Sequence, residues 1–339
     1  MGRMDFLDVM TGGNGSVPIF LRDMTLGMDV RGVRTSDVID YSGFDPELSA
    51  DCICSFAELT GQDAVIGCCH SPAFIIEQFG GEMKYPEYGI PAPMTHPLEN
   101  ITDLSGYDTE PRGKALQALE SYSIVRQRMR DRAVVANVTG PLTKAGVIAG
   151  IEWISMLMES DRGVLESLLA LCLEHTERIV ESMDCDASID AGLLASATDN
   201  PDLFGRDRFA EFSIPWTREF CRMFLKRGYP VIWHPHGRMF GESEDMSDLL
   251  METGCSCFHY AEDNDLRKIH EKVRIPVMGG TDIVPTLMGS DKERIVSETE
   301  EHLSTFRDRS FIFSASCSLH RGVPLDNIRT MTKTVRRFS

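Results

Sequence analysis

Short apolar runs recur along the chain and alternate with longer helical patterns. Each run has four to six residues and is apolar nearly throughout, as strands covered on both faces are. The runs predict strands at residues 17–21, 64–67, 133–138, 187–190, 230–234, 255–259, 276–279 and 311–314. Strands that alternate with helices indicate parallel βα units. Eight such units in one chain predict a (β/α)8 barrel, the TIM-barrel fold of the α/β class.

The segments between these runs predict the helices and one insertion. Residues 162–183 carry apolar side chains at spacings of three and four, and residues 290–305 show a similar pattern. A further pattern covers residues 207–227, where Pro215 should kink the helix or end a first one. Residues 79–112 are rich in Pro and Gly and show little periodicity. We expect one barrel domain over residues 1–339, with this extended insertion capping its mouth.

Composition excludes several classes of function. The formal net charge is −18, which repels nucleic acids and anionic lipid surfaces. The sequence contains no run of about 20 apolar residues, so it predicts no membrane span. The first residues, MGRMDFLDVMTGG, lack the apolar core of a secretory signal, so we expect a cytoplasmic protein. The ten cysteines are then expected to be free thiols rather than a disulfide framework.

Two histidines and a cysteine follow predicted strands at the end where barrel active sites form. His234 and His236 are two residues apart, so an extended chain projects them to the same side. Cys317 follows the eighth run. Two imidazoles and a thiolate suit zinc, and three protein ligands leave the open position of a catalytic site. The alternative is two hydrogen-bonded histidines beside a packed thiol. His259 is either a further ligand or a core residue.

Charged side chains also follow predicted strands. Asp190, Glu262 and Asp282 come after the fourth, sixth and seventh runs. We expect catalytic roles for these carboxylates, in shaping the pocket or accepting a proton. Arg22 follows the first run and is either half of a surface ion pair with Asp23 or a clamp for an anionic substrate.

The same residues lie in longer motifs that together resemble a known superfamily. The motifs are Val138-Thr-Gly-Pro-Leu-Thr-Lys-Ala-Gly, Ile189-Asp190-Ala-Gly, His234-x-His236-Gly, residues 254–262, Gly279-Gly-Thr-Asp282, and Cys317 followed by Val323-Pro-Leu-Asp-Asn-Ile. Over nearly the whole chain they resemble the uroporphyrinogen decarboxylase superfamily. Within it they resemble the corrinoid-dependent methyltransferases, typified by methylcobamide:coenzyme M methyltransferase.

This resemblance implies a ligand set with one departure from the family pattern. In the coenzyme M branch the metal motif reads His-x-Cys, with a second cysteine downstream, and here His236 stands in place of the first cysteine. The family's acidic residue falls on Glu262, which the resemblance implies as a fourth zinc ligand when no substrate is bound. With one thiolate fewer the zinc site is more positive, so a bound thiol ionises more readily but is a weaker nucleophile.

The resemblance also implies a reaction. A methyl group would move between a methylcobamide, held by a separate small corrinoid protein, and a small zinc-activated thiol such as coenzyme M, with Arg22 pairing an anionic tail. The alternatives are a corrinoid enzyme that demethylates another donor or uses tetrahydrofolate, a metal-free decarboxylase, and a binding protein without turnover. Decarboxylases of the superfamily hold carboxylates with paired arginines after the first strand, where this chain has no second Arg before Arg31. The sequence is also compatible with a homo-oligomer.

Overall fold

Parallel strands form the centre of the molecule. The computed structural model describes residues 2–70 and 76–338. Within these residues, seven parallel strands form one sheet in the order β1, β4, β5, β6, β7, β8, β9, and two short antiparallel strands, β2 and β3, pair separately. The bounds are β1 (Ala64–Ile66), β2 (Met83–Lys84), β3 (Ala92–Pro93), β4 (Ala133–Thr139), β5 (Ala191–Ser196), β6 (Val231–Pro235), β7 (Cys257–His259), β8 (Val277–Thr281) and β9 (Phe311–Ala315).

An extended segment at residues 18–23 closes the sheet into a barrel. The backbone N–H of Phe20 donates to the carbonyl of Phe313 on β9, and the N–H of Ala64 on β1 donates to the carbonyl of Ile19. This segment forms isolated bridges to both edges rather than a continuous strand. It occupies the eighth position of the (β/α)8 barrel, as the first apolar run predicts.

Helices surround the barrel. In the described residues they are α1 (Arg3–Met10), α2 (Leu26–Arg31), α3 (Thr35–Val38), α4 (Pro46–Thr60), α5 (Lys114–Arg128), α6 (Pro141–Ala149), α7 (Ile151–Ser160), α8 (Arg162–Cys185), α9 (Pro201–Arg208), α10 (Ile214–Leu225), α11 (Ser247–Thr253), α12 (Leu266–Lys272), α13 (Lys292–Thr305) and α14 (Leu325–Phe338). Among them, every helix is too short or too polar to span a membrane.

The long predicted helices are confirmed. The pattern at residues 162–183 corresponds to α8, which begins where the carboxylate of Asp161 accepts from the N–H of Val164. The pattern at residues 207–227 is divided as Pro215 predicts, because a π-helical turn over Phe209–Ser213 separates α9 from α10. Proline is tolerated in the first turn of α10, where its missing N–H would have no partner within the helix.

The predicted insertion at residues 79–112 contains β2 and β3 and otherwise consists of irregular chain. Its backbone is fixed to the barrel helices, since the N–H of Leu98 donates to the carbonyl of Ile148 at the end of α6. Ile90 from the insertion lines a cavity at the carboxyl ends of the strands. The insertion therefore contributes to the barrel mouth.

The predicted fourth barrel strand at residues 187–190 is wrong, and so is the catalytic role expected for Asp190. The strand is β5, which begins one residue after Asp190, so this carboxylate lies at the amino-terminal end of the barrel. It accepts hydrogen bonds from Arg3 and Arg126, both at 2.5 Å, and from the N–H of Val134 at 2.9 Å. Asp190 is a structural ion-pair partner at the end of the barrel opposite the mouth.

We predict that Asp190→Ala destabilises the fold by about 3 kcal/mol, because it leaves the nearly buried Arg126 guanidinium without its partner. Urea unfolding would measure the loss. The exposed Arg34–Asp37 pair provides the control, since Asp37→Ala should leave the unfolding midpoint almost unchanged. Asp190→Ala should bind metal normally where it remains folded, and a loss of metal binding in folded protein would contradict the placement of Asp190 away from the site.

Candidate metal centre

Three potential metal ligands from distant parts of the chain meet at the barrel mouth. His234 lies on β6, His236 directly follows that strand, and Cys317 lies two residues beyond β9. One ligand atom from each side chain can be chosen so that all three atoms lie within 4.8 Å of one another. The Sγ of Cys317 is 3.3 Å from the Nε2 of His236. The structure thus brings together the three residues that the sequence predicts as zinc ligands.

The backbone fixes the two histidines on one side of the strand end. The N–H of His236 donates to the carbonyl of Ser196 at 2.9 Å, so β5 holds the link between the two imidazoles. Gly237 follows with a φ of 84°, a left-handed conformation that residues with a Cβ rarely adopt. The chain can therefore turn away immediately after His236.

Neighbouring groups orient His234 for binding a cation. The ring is fully buried, and its Nδ1 lies 3.2 Å from the carbonyl of His259, which can only accept a hydrogen bond. Nδ1 therefore carries the proton and Nε2 has the lone pair. That Nε2 is buried without a hydrogen-bond partner in the described chain. Burial, reinforced by the charges of Arg22 and His236, holds the pKa of His234 well below its usual value, so the ring is neutral.

His259 is a core residue in this structure. Its ring stacks on His234 with centroids 4.1 Å apart, and its Nε2 donates to the carbonyl of Ala315 at 3.0 Å. Among the residues described, the ligand group comprises His234, His236 and Cys317 without His259.

Cys317 is held as a thiolate. Burial alone would raise the pKa of its thiol, but the hydrogen bond with His236 and the positive charge of Arg22 outweigh that effect and lower the pKa to about 5. The Nη2 of Arg22 lies 3.7 Å from Sγ. Cys172, which is also buried, shows the opposite shift, because burial raises the pKa of its thiol to about 12. Cys317 is thus ready to bind a metal as an anion.

Arg22 and Asp23 are both buried and do not form the surface ion pair that the sequence left open. The carboxylate of Asp23 accepts from the backbone N–H groups of Leu26 and Gly27 and so caps α2. The guanidinium of Arg22 lines the cavity at the mouth, and its Nε and Nη1 are buried without a partner in the described residues. A buried cation with free donors is suited to bind an anionic group.

Glu262 and Asp282 lie beyond the carboxyl ends of β7 and β8, as the sequence predicts. The Oε1 of Glu262 accepts from the hydroxyl of Ser316 at 2.9 Å, next to Cys317, but its carboxylate is outside the three-residue ligand group. Burial and the nearby charges of Glu298 and Glu262 raise the pKa of Asp282 to about 7. Asp282 can therefore exchange a proton near neutral pH.

The cavity beside the ligand group contains residues that the sequence reasoning missed. It has a volume of about 150 Å³ and is lined largely by apolar atoms. Its lining includes Arg22, Met24, His70, Ile90, Asn137, Val138, Thr139, Thr143, Ala195, Ala197, Ser318 and His320. Ala195 and Ala197 lie at the end of β5, so a correct placement of that strand would have predicted them at the mouth. Ser318 and His320 follow Cys317 closely in sequence, and this proximity was the signal that they line the cavity.

Comparison with known proteins identifies the family. The family model described as uroporphyrinogen decarboxylase (URO-D) matches residues 15–338. The chain belongs to the uroporphyrinogen decarboxylase family. Its similarity to a solved structure, a methyltransferase from Methanosarcina mazei, has a TM-score of 0.86 at 21% identity and covers 99% of this chain and 98% of the other. A putative vitamin-B12 independent methionine synthase from Listeria monocytogenes gives a TM-score of 0.56 at 13% identity, over 96% and 97% of the two chains.

Curated relatives include both methyltransferases and decarboxylases. The chain is 23% identical over 312 residues to methylated-thiol--coenzyme M methyltransferase of Methanosarcina mazei, covering 86% of this chain and 77% of that protein. It is 24% identical over 255 residues to uroporphyrinogen decarboxylase of Wolbachia pipientis wMel, covering 73% and 72%. The methyltransferase match spans the larger share of this chain.

We predict that Cys317 of the metal-free protein is alkylated by iodoacetamide with an apparent pKa near 5, so its rate changes little between pH 6.5 and 8. Arg22→Met should raise that pKa and slow the reaction at pH 6.5, because it removes the nearby positive charge. The exposed Cys185 would first be replaced by serine, so that it does not compete for the reagent. An alkylation rate that rises through pH 8–9, as for an ordinary thiol, would contradict the thiolate.

Proposed function

We propose that this protein is a zinc-dependent methyltransferase. In this proposal it moves a methyl group between a cobalt corrinoid, carried by a small partner protein, and a small thiol. The observation that carries the proposal is the meeting of His234, His236 and Cys317 at the barrel mouth, beside a cavity lined by Arg22, whose Nε and Nη1 have no partner in the described residues. The similarity to a methylated-thiol--coenzyme M methyltransferase supports the same reaction class.

The residues present fit a zinc ion. The Nε2 of His234 is buried with its lone pair unused in the described chain, an arrangement that binding a cation would satisfy. Two neutral imidazoles and one thiolate match the nitrogen and sulfur preference of zinc. The backbone carbonyl of His259 fixes the ring of His234, as groups outside the metal ligands commonly do in zinc proteins. Zinc bound here would keep a substrate thiol in its ionised, nucleophilic form.

The cavity provides a place for the substrate. A volume of about 150 Å³ admits a short thiol rather than a large ring system. Arg22 would pair with an anionic tail on that thiol. Its Nε and Nη1 have no hydrogen-bond partner in the described residues, while its Nη2 contacts Cys317. Val138 and Ala195 contribute to a largely apolar cavity wall that would pack against the thiol. Glu262 would be the fourth ligand when the thiol is absent, and Asp282 would shape the acidic side of the pocket.

The methyl transfer itself requires little more from the protein than position. The sulfur lone pair forms the new carbon–sulfur bond while the methyl group leaves its donor without the bonding electrons. Orienting the two reactants is a large part of the rate enhancement in such a displacement. A methyl donor held by a separate corrinoid protein would reach the sulfur from the barrel mouth.

The position of Arg31 favours a methyltransferase over a decarboxylase of the family. A decarboxylase needs paired guanidinium groups to hold several carboxylates. Arg31 lies on α2, half-exposed, and pairs with Asp51 on α4. It therefore does not join Arg22 in the cavity, where one anionic group can be held. A corrinoid enzyme with another methyl donor or acceptor, such as tetrahydrofolate, would use the same residues. Activity assays with different donors and acceptors would distinguish it from a thiol methyltransferase.

We predict about one zinc per chain by elemental analysis of the purified protein. Cys317→Ala and His234→Ala should each lose most of it, because each removes one of the three ligands that the structure brings together. Cys185→Ala is the matched control, since this exposed cysteine lies outside the site and should leave the zinc content unchanged. Full zinc content in Cys317→Ala would exclude Cys317 as a ligand. Affinity should fall as pH drops towards 5, because the pKa of the Cys317 thiol is about 5 and the protonated thiol cannot bind zinc.

We predict that the zinc-loaded protein demethylates methylcobalamin in the presence of a suitable thiol, measured by the change in the visible spectrum of the corrinoid. A panel of short thiols with and without anionic tails would be tested, with and without a corrinoid protein. Arg22→Met should raise KM for anionic thiols by about tenfold or more and leave neutral thiols nearly unaffected. His236→Cys should keep zinc and alter the rate without abolishing it. No thiol-dependent turnover above the zinc-free protein would refute the proposal.

A further inference from the structure

Two polar residues, Ser318 and His320, follow Cys317 closely and have no role yet in the proposed methyl transfer. Ser318 and His320 both line the cavity next to the ligand group. The hydroxyl of Ser318 lies 3.8 Å from the Sγ of Cys317 and 2.9 Å from the Nε2 of His320. Together they form a chain of hydrogen bonds that begins at the Cys317 sulfur.

The direction of these hydrogen bonds follows from the proposed role of Cys317 as a zinc ligand. Cysteine binds zinc as a thiolate, which can only accept, so the single proton of the Ser318 hydroxyl points to Sγ. The Ser318 oxygen must then accept from His320, which places a proton on Nε2 of that ring. A neutral imidazole carries one proton, so Nδ1 of His320 has the lone pair.

The Nδ1 atom of His320 is available to accept a proton. It is buried and has no hydrogen-bond partner in the described part of the chain. The charged groups that act on the ring are the Cys317 thiolate, which raises the pKa of His320, and the Arg22 guanidinium, which lowers it; His70 lines the same cavity. Burial is the largest influence and holds the pKa below its usual value. The ring is therefore neutral at pH 7 and able to accept a proton.

We propose that His320 is the base that receives the proton of the substrate thiol at its Nδ1. The sulfur–hydrogen bond breaks, its electron pair stays on sulfur, and the proton moves to Nδ1 and later to solvent. Ser318 is a positioning residue that fixes the reactive tautomer. This inference rests on the proposed function, because it assigns the proton acceptor for that reaction.

The first test is independent of turnover. Histidine ¹⁵N NMR of the zinc-loaded protein would identify the His320 signals by their loss in His320→Gln. We expect an Nε2–H tautomer with an unprotonated Nδ1 at pH 7, and a loss of this preference in Ser318→Ala. An Nδ1–H tautomer in the wild-type protein would overturn the inference, whether or not methyl transfer is observed.

The second test is the pH profile of methyl transfer. His320→Gln should keep about one zinc per chain and lower the rate at pH 6.5 by about 100-fold, the lower end of what a positioned base contributes. The deficit should shrink as pH rises, because hydroxide replaces the missing base. Imidazole added to His320→Ala should restore at least about tenfold of the lost rate. The control His270→Gln, on α12 away from the cavity, should match the wild type with or without imidazole.

The outcomes separate the two proposals. A wild-type rate and pH profile in His320→Gln would overturn the role of His320 while leaving the methyltransferase intact. The same holds if imidazole fails to restore zinc-loaded His320→Ala. Absence of thiol-dependent turnover in the wild type would refute the methyltransferase, and the tautomer measured by NMR would then decide the assignment of Nδ1 separately.

Discussion

Closure of the barrel by residues 18–23 is the constraint on which the site depends. This segment is too irregular to form a full ladder, and side chains replace the missing backbone partners. The N–H of Ile19 donates to the carboxylate of Asp63, and the N–H of Leu21 donates to the side-chain carbonyl of Gln62, both at 2.8 Å. Because the segment also pairs with β9, it places Arg22 beside Cys317, 295 residues away in sequence.

The charge distribution at the mouth divides the site into two sides. Arg22 and the cavity lie on the side formed by the closing segment, β4 and β5. The acidic residues Glu262, Asp282 and Glu298 belong to the side that follows β7 and β8 or packs against it. In a protein with a net charge of −18, one buried guanidinium makes the cavity locally attractive to an anion. On the opposite side, Asp282 can hold or release a proton near neutral pH.

Much of the fold could be predicted from the sequence because strands buried on both faces leave a distinct apolar pattern. The ligand group was also predictable, since His234 and His236 lie at the end of one such strand and Cys317 lies two residues beyond another. β5 was misplaced because its sequence, Ala-Gly-Leu-Leu-Ala-Ser, is small and helix-compatible and carries no β-branched residue. That shift of a few residues moved Asp190 from the amino end of the barrel to the predicted mouth.

Contacts across the mouth could not be predicted, since they depend on side-chain directions that no local pattern contains. The sequence could not decide whether Arg22 pairs with Asp23, because that depends on Asp23 turning to cap α2. The hydrogen-bond chain from Cys317 through Ser318 to His320 is local in sequence, but its meaning depends on the charge that Arg22 and His236 confer on the thiol. The contacts of Cys317 with Arg22 and His236 join residues that are far apart in sequence and meet only in the closed barrel.

X-ray absorption at the zinc edge of the loaded protein would show whether His234, His236 and Cys317 hold one zinc ion with a position open to a thiol. We expect one sulfur at about 2.3 Å with nitrogen or oxygen neighbours at about 2.0–2.2 Å, and a second sulfur when a substrate thiol is added. A zinc environment without sulfur, or a sulfur count that no thiol changes, would contradict this expectation.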